Sequence, residues 1–247
     1  MTTTNYNAIA EQYKQCKEHP WRSRIETYSI LKRLGNIEGK KVLDVACGEG
    51  FYTRKLRHSG AGEVVGIDLS EAMIRLALDH ESRAPLGITY RVEDACTKAV
   101  RQECDLAVSA WLLVYARNQS ELLSMCHGIA SRVKPGGRFI TFTGNPNVYA
   151  FRQVDYRKYG FSISLTDRPY EGAPIVWTVY LDDSSFGIEN YYLPMKAYET
   201  AFAEAGFYDF KVHLPEVSPH PQGMDDGAFW SDYLAHPPAV LMECVKK

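Results

Sequence analysis

Two glycines that follow a predicted strand are the residues that point most directly to chemistry. The apolar run Lys41–Ala46 leads into Cys47, Gly48, Glu49 and Gly50. Glycine lets the backbone turn sharply and lets a bound molecule approach without a Cβ between them. The next helix would present its first backbone N–H groups toward the same place. The pattern predicts a ligand-binding loop, and a plain strand-to-helix turn is the alternative.

An acidic residue ends the next predicted strand. Asp68 closes the sequence VVGID, 18 residues beyond Gly50. A carboxylate at this point can accept hydrogen bonds from both hydroxyls of a ribose. The alternative is that Asp68 only caps a helix that starts near Ser70. The loop and the acid together fit two ligand classes, dinucleotides and S-adenosylmethionine.

Two residues distinguish these ligands. The dinucleotide fingerprint GxGxxG needs a third glycine for close helix–strand packing, and Thr53 stands at that position. Asp44 lies in the strand before the loop, where a carboxylate would repel a pyrophosphate but would suit a cationic methionine end. The sequence therefore favours S-adenosylmethionine.

The elements that must position these residues alternate between strands and helices. Short β-branched runs predict strands covered on both faces, and apolar residues at helical spacing predict helices between them. This alternation predicts an α/β fold with a parallel sheet. The strands are predicted at 41–46, 63–69, 88–92, 105–110 and 138–143, and the helices at 53–58, 70–82 and 120–133.

After residue 144 the regular alternation of predicted strands and helices ends. The stretch 145–193 is rich in tyrosine and carries one predicted strand, 175–181, followed by turn residues. A helix over 194–205 and strands at 207–214 and 239–245 complete the chain. We expect a single domain with N-terminal lid helices (1–35), a cofactor-binding core (36–144), a substrate cap (145–193) and a C-terminal helix and strands (194–247).

Composition narrows the function classes. The 247 residues carry 28 basic and 30 acidic side chains, a net charge of −2, with no basic patch for a nucleic acid or a membrane surface. The six cysteines and seven histidines show no metal-ligand spacing, so no metal site is expected. With no leader-like start and no disulfide pattern, a cytoplasmic protein is expected. The oligomeric state is left open.

Four segments in order resemble the motifs of the class I S-adenosylmethionine-dependent methyltransferases. They are VLDVACGEGFYT (42–53), VVGIDLS (64–70), VEDA (92–95) and VKPGGRFI (133–140). The resemblance implies a Rossmann-like seven-stranded sheet with an antiparallel last strand and helices on both faces. It also implies S-adenosylmethionine as the cofactor.

The same resemblance implies roles for individual residues. Gly48 and Gly50 would contact the methionyl part of the cofactor, and Asp68 would bind the ribose. The adenine would meet Leu69, Asp94 and the backbone of Ala95. Three further residues are expected at the cofactor: Tyr13, Met73 and Ala110.

A narrower similarity concerns the segments 27–48, 109–116 and 236–247. These resemble the bacterial N-methyltransferases that act on the azapteridine ring in toxoflavin biosynthesis. This similarity implies a nitrogen heterocycle as the acceptor, although the cap diverges.

The acceptor site is expected above the carboxyl ends of the strands. Aromatic side chains there would give flat apolar walls with polar tips, which suit a planar acceptor, although packing alone is the alternative. Of the adjacent Tyr191 and Tyr192, at least one should be structural if both lie on a strand. The candidates are Trp111, Tyr115, Asn145, Tyr149 and Arg152, with Tyr6 and Tyr13 as parts of a lid.

The sequence thus predicts a methyltransferase for a nitrogen or oxygen atom of a small, planar aromatic or heterocyclic metabolite of specialised metabolism. A carboxyl O-methyltransferase acting on a peptide or small acid is the main alternative. A non-catalytic cofactor-binding subunit and a nicotinamide dehydrogenase are less favoured. No residue is identified as a general base; His213 and His236 are the histidines considered for that role.

Overall fold

The computed structural model describes residue 16 and residues 19–99, 104–220, 222 and 226–247. Ten strands form two sheets, seven in a large one and three in a small one. The large sheet has the order β3-β2-β1-β4-β5-β10-β9. Its strands are β1 (Lys41–Val45), β2 (Glu63–Asp68), β3 (Thr89–Val92), β4 (Cys104–Ala110), β5 (Val133–Gly144), β9 (Phe207–His213) and β10 (Ala239–Lys246).

The large sheet is buried on both faces, because alternate residues of its strands belong to two separate apolar clusters. Val42, Val64 and Leu106 lie in one cluster. Their neighbours Leu43, Val65 and Ala107 lie in the other. Successive side chains of a strand point to opposite faces, so apolar runs without alternation are typical of a doubly covered sheet.

The direction of the strands matches the expected fold. Strands β1 to β5 pair in parallel. The last strand, β10, runs between β5 and β9 and is antiparallel to both. The predicted Rossmann-like sheet with an antiparallel last strand is therefore confirmed.

In the part of the chain that the structure describes, six α-helices of seven or more residues accompany the sheets. The helix predicted to follow the glycine loop begins at Phe51 rather than Thr53. Ser70 caps the next helix, as predicted, because its side chain accepts a hydrogen bond from the Met73 N–H. The helices are α1 (Tyr28–Leu34), α2 (Phe51–His58), α3 (Glu71–Arg83), α4 (Gln119–Ala130), α5 (Met195–Glu204) and α6 (Gly227–Ala235). The sequence analysis does not predict helix α6. The segment before it, between the last two strands, is rich in proline, histidine and glycine, which gives no helical pattern.

The cap after β5 is a small antiparallel sheet of β6 (Phe161–Leu165), β7 (Pro174–Tyr180) and β8 (Ser185–Tyr191). Only β7 was predicted. The other two strands contain serine, glycine and asparagine, which weaken the apolar signal of a strand. Buried residues alternate along β7 and β8, so one face of this sheet packs on the domain.

The N-terminal part enters α1 through a π-helical turn, Arg22–Thr27. Such turns are rare and are frequently found at functional sites. In the described part of the chain, no helix combines the length and the apolar character that crossing a bilayer requires.

Candidate active site

The glycine loop between β1 and α2 has the backbone that its residues predict. Gly48 and Gly50 adopt positive φ angles of 57° and 88°. A Cβ on Gly50 would clash with the Tyr90 hydroxyl, whereas a Cβ on Gly48 would meet no atom within 4 Å. Gly50 is thus required for both conformation and space. Gly48 is required for conformation alone and leaves open space beside the loop.

Asp68 connects this loop to helix α3. One carboxylate oxygen accepts a hydrogen bond of 2.8 Å from the Gly48 N–H, and the other accepts one of 2.8 Å from the Ser70 N–H. The helix cap itself is the Ser70 side chain, so capping is not the role of Asp68. A carboxylate has about four lone-pair sites, more than these two backbone bonds occupy.

Thr53 on α2 and Asp44 on β1 form a hydrogen bond that connects the two ends of the glycine loop. The Thr53 hydroxyl donates to the Asp44 carboxylate over 2.6 Å, and both side chains are buried. A glycine at position 53 could not make this bond. The residue that breaks the dinucleotide fingerprint therefore has its own structural role here.

The residues expected at the adenine differ in exposure. Leu69 leaves 67% of its surface exposed beside Asp68, as an apolar platform would. Asp94 is exposed, and one of its oxygens accepts a bond from the Cys96 N–H. Met73 is 3% exposed and packs into the core, so little of its surface can meet a ligand.

Two non-glycine residues at the ends of central strands have left-handed backbones. Ala46 follows β1 with φ 60°, and Trp111 follows β4 with φ 65°. The chain leaves β1 and β4 in opposite directions along the sheet, which makes this the topological switch point where ligands of α/β proteins bind. Strained backbone is often found at functional sites. Ala110, the last residue of β4, is half-buried at the same place.

An aromatic cavity lies beside this switch point. Its volume is about 20 Å³, and it is partly open to solvent. Three tryptophans and a tyrosine make its walls, and the rest is apolar or amide except for one arginine. Its lining is Trp21, Arg22, Trp111, Tyr115, Trp177, Val179, Ile188 and Asn190.

A buried polar cluster supports the wall of this cavity. Glu26, with no exposed surface, accepts hydrogen bonds from Arg22, from the Tyr52 hydroxyl over 2.5 Å and from the Trp111 indole N–H over 2.9 Å. Burial and the neighbouring Glu26 carboxylate raise the pKa of Tyr52 well above its usual value. Since Tyr52 lies two residues after Gly50, the cluster joins the glycine loop to the cavity.

The structure brings only some of the proposed acceptor residues together. Trp111 and Tyr115 share the aromatic cavity, and burial raises the pKa of Tyr115. Asn145 lines a neighbouring cavity and uses its side chain to bind Pro237 O and Asn147 N. Tyr149 hydrogen-bonds the Thr166 hydroxyl over 2.7 Å.

Among the described residues, the others proposed for the acceptor site do not line the aromatic cavity. Arg152 donates to the Asp167 carbonyl near the surface. Tyr191 and Tyr192 both line the neighbouring cavity; because β8 ends at Tyr191, the condition for strand alternation does not apply to this pair. Tyr6 and Tyr13 fall outside the described residues.

The histidines considered as bases have other surroundings. His213 pairs with Glu243 across β9 and β10 at 3.0 Å, and His236 packs edge-on against Phe151. Neither lines the aromatic cavity.

Sequence reasoning missed Trp21, Arg22 and Glu26, although the i,i+4 spacing of Arg22 and Glu26 was available as a signal. It also missed Trp177 and Asn190 as cavity residues, since only strand pairing brings them to the site.

Comparison with known proteins agrees with the geometry. Residues 42–137 match the family model described as "Methyltransferase domain". A ubiquinone biosynthesis O-methyltransferase of Pseudomonas syringae pv. tomato is 32% identical over 48% of this chain and 51% of its own length. An N-demethylindolmycin N-methyltransferase of Streptomyces griseus is 28% identical over 73% of this chain and 77% of its own. The chain thus spans about half the length of the first curated relatives it matches.

The fold also matches solved structures. A crystal structure of a S-adenosylmethionine-dependent methyltransferase from Clostridium acetobutylicum superposes with a TM-score of 0.64, covering 98% of both chains at 14% identity. Residues 42–137 thus match a methyltransferase domain, and the fold is one that S-adenosylmethionine-dependent methyltransferases share. The glycine loop and Asp68 fit this cofactor, since they offer open backbone, exposed apolar surface at Leu69 and carboxylate lone pairs.

Proposed function

We propose that this protein transfers the methyl group of S-adenosylmethionine to a nitrogen or oxygen atom of a small, planar aromatic or heterocyclic metabolite in specialised metabolism. The observation that carries the proposal is the aromatic cavity beside the switch point. Three of its walls are tryptophans, and flat apolar walls with a few polar groups suit a planar ring.

The position of the cavity supports methyl transfer at this place. Trp111 directly follows Ala110 at the end of β4, and the Glu26–Tyr52 bond links the cavity to the glycine loop. An acceptor in the cavity would therefore lie close to the expected methionyl end of the cofactor. A cavity of this small size favours a small acceptor over a peptide, which would need a groove.

Methyl transfer requires mainly that the acceptor atom be correctly oriented toward the methyl group. S-adenosylmethionine supplies a methyl group on a sulfonium whose departing thioether is neutral. The residues of this chain would hold the acceptor in line with that methyl group and exclude water, and orientation of this kind can lower a barrier by about 7–11 kcal/mol. Trp111 contacts Trp21 and Trp177 edge to face, and these three side chains would line the site of the acceptor ring.

The acceptor atom is a finer part of the proposal. The resemblance of three segments to the toxoflavin N-methyltransferases supports a ring nitrogen. The relatives found here include both O- and N-methyltransferases, so an oxygen acceptor is the second candidate. A carboxyl group of a peptide or small acid is the main alternative, and the small cavity disfavours the peptide.

The test is a mass-spectrometric screen of purified protein with S-adenosylmethionine against planar nitrogen heterocycles, phenols, small carboxylic acids and peptides. A gain of one methyl group on a heterocycle or phenol is expected. Methylation of peptides or aliphatic acids alone would contradict the proposal. So would stabilisation by NADH and not by S-adenosylhomocysteine in thermal unfolding.

Substitution of Tyr115 tests whether the acceptor binds in the aromatic cavity. Tyr115→Phe keeps the ring but removes a hydroxyl from the cavity wall, so it should raise KM for the acceptor and leave the Kd of S-adenosylhomocysteine unchanged. Tyr208→Phe, on the exposed strand β9, is the matched control. Loss of cofactor binding in Tyr115→Phe would show that the cavity belongs to the cofactor instead.

A further inference from the structure

A buried ion pair lies in the wall of the aromatic cavity. Arg22 and Glu26 are 4% and 0% exposed, and the guanidinium donates to both carboxylate oxygens at 3.0 and 2.9 Å. Both belong to the π-helical turn that precedes α1. Burying two charges is costly, and such a pair by itself is weak support for stability. Its place beside a ligand cavity therefore calls for a functional reason.

The cation of this pair belongs to a residue of the cavity lining. Arg22 belongs to the lining, whereas Glu26 lies behind it. The guanidinium carbon is 4.4 Å from the Trp21 ring centre and 5.7 Å from the Trp111 ring centre. Two cavity walls thus hold the guanidinium in place, and an acceptor ring in the cavity would meet a positive charge.

The other polar groups of the lining are donors or neutral. The Trp21 indole N–H is buried and has no hydrogen-bond partner within the described part of the chain. The described lining includes no Asp, Glu, His, Lys or Cys. Burial raises the pKa of Tyr115, so its hydroxyl stays protonated and is a poor base. Among the described residues of the cavity lining there are hydrogen-bond donors and a cation, but no group that would remove a proton from the acceptor.

The titratable groups facing Arg22 come from several elements. They are Glu26 on the same turn, His19 and Cys16 before it, Tyr52 on α2 and Tyr233 on α6. Burial and the nearby Arg22 lower the pKa of His19, and burial raises the pKa of Tyr52 and Tyr233 well above the usual value. Arg22 is therefore the cation among them at neutral pH, and Glu26 is its counter-charge.

We propose that the acceptor is a planar ring with an acidic O–H or N–H group, which binds as its anion against Arg22. This inference rests on the proposed function and adds the charge state of the substrate. The proton leaves to solvent before transfer. The lone pair of the anionic atom forms the new bond to the methyl carbon, and the carbon–sulfur electron pair leaves with the thioether. The products are a neutral methylated ring and S-adenosylhomocysteine, so no general base is needed.

The test measures binding of a matched probe pair to protein saturated with S-adenosylhomocysteine. 4-Nitrophenol is planar and acidic, and its ionisation is read from its absorbance; 4-nitroanisole is the same ring with the acidic group methylated. Wild-type protein should bind 4-nitrophenol about tenfold more tightly than 4-nitroanisole, as a charge-assisted hydrogen bond implies. Binding should also lower the apparent pKa of the phenol.

Charge variants separate this role from a structural one. Glu26→Gln removes the counter-charge, and its one carbonyl oxygen can still accept from the Trp111 N–H while its amide N–H donates to the Tyr52 hydroxyl, so it should strengthen phenolate binding. The double variant Arg22→Gln with Glu26→Gln should abolish the preference, and Arg22→Lys should retain part of it. Arg83→Gln, on the exposed end of α3, is the control and should bind like wild type.

The outcomes are distinct. Weaker phenolate binding in a folded Glu26→Gln variant, equal affinity for both probes, or no binding of 4-nitrophenol to the loaded wild-type protein would overturn the inference. Circular dichroism and thermal melting verify that each variant folds. Failure to bind S-adenosylhomocysteine at all would contradict the proposed function itself.

Discussion

At the scale of single residues, Asp68 is already positioned before any ligand binds. Its two oxygens are held by the Gly48 and Ser70 N–H groups, which belong to the loop and to the entrance of α3. A carboxylate fixed by two backbone donors loses little conformational freedom when it accepts further hydrogen bonds. Asp68 therefore combines a structural role with the expected ribose contact.

Asp68→Asn should weaken binding of S-adenosylhomocysteine by about 1.5–3 kcal/mol, because charge-assisted hydrogen bonds are lost. The amide also places a donor opposite one of the two N–H groups, which loosens the loop. Isothermal titration calorimetry measures the effect. Asp79→Asn, in an exposed pair with Arg83, is the control and should leave the Kd unchanged. An unchanged Kd in Asp68→Asn would mean that the ribose lies elsewhere.

At the scale of elements, helix α4 positions the loop that carries Asp94 through a glycine. A Cβ on Gly128 would overlap the Ala95 carbonyl oxygen, so only glycine lets α4 approach the backbone that follows Asp94. Arg132, just after α4, donates to the carbonyls of Thr97 and Gly128 and pairs with Glu93. The loop between β3 and β4 is thus fastened to α4 on both sides of Asp94.

Gly128→Ala should push this loop away from α4. Overpacking of this kind costs about 1–3 kcal/mol, and the displaced Asp94 should reduce the affinity for S-adenosylhomocysteine several-fold. Thermal melting and calorimetry measure the two effects. Gly187→Ala on β8 is the control, since its Cβ would meet only ordinary contact with Val176. Full affinity in a destabilised Gly128→Ala variant would separate the loop from the cofactor site.

At the scale of the whole molecule, the two ends of the described chain hold each other. Arg24, in the π-helical turn, donates to the Asp226 carboxylate, at 2.6 and 3.2 Å, and to Ser218. Ser29 exchanges hydrogen bonds with the backbone of Glu216. The segment before α6 therefore fixes the turn that carries Arg22 and Glu26. The wall of the cavity depends on contacts about 200 residues apart in sequence.

Asp226 makes this contact sensitive to acid. The Arg24 guanidinium lowers the pKa of Asp226 to about 2, so the stabilisation is present above the unfolded-state pKa and is lost as pH falls toward 2. Asp226→Asn should be less stable than wild type at neutral pH, and the gap should narrow at about pH 3. Urea unfolding at both pH values measures it.

Asp155→Asn is the matched control for this prediction. The pKa of Asp155 is also lowered to about 2, but its partner Arg157 is only two residues away. Such a local pair persists in part in the unfolded chain, so its removal should change stability less. An equal effect of both substitutions, or a gap that is independent of pH, would contradict a tertiary role of the Arg24–Asp226 pair.

The sequence by itself determined the glycine loop and the position of Asp68, because both depend on interactions between residues that are close in the chain. A strand, two glycines and an acid at the end of the next strand lie within about 30 residues, and their conformations follow from short-range sterics and hydrogen bonding. The parallel sheet was predictable for the same reason, since β-branched runs alternate with helical patterns. Even Thr53 was correctly interpreted as incompatible with a dinucleotide fingerprint.

The aromatic cavity was decided only by the tertiary structure. Trp21, Trp111 and Trp177 come from three distant segments and meet because the cap sheet folds back over the switch point. The charges of Arg22 and Glu26 gain their significance from burial, which depends on packing against the rest of the chain. Long-range contacts of this kind leave no periodic signal in the sequence, so neither the cavity nor its cation could be predicted from spacing.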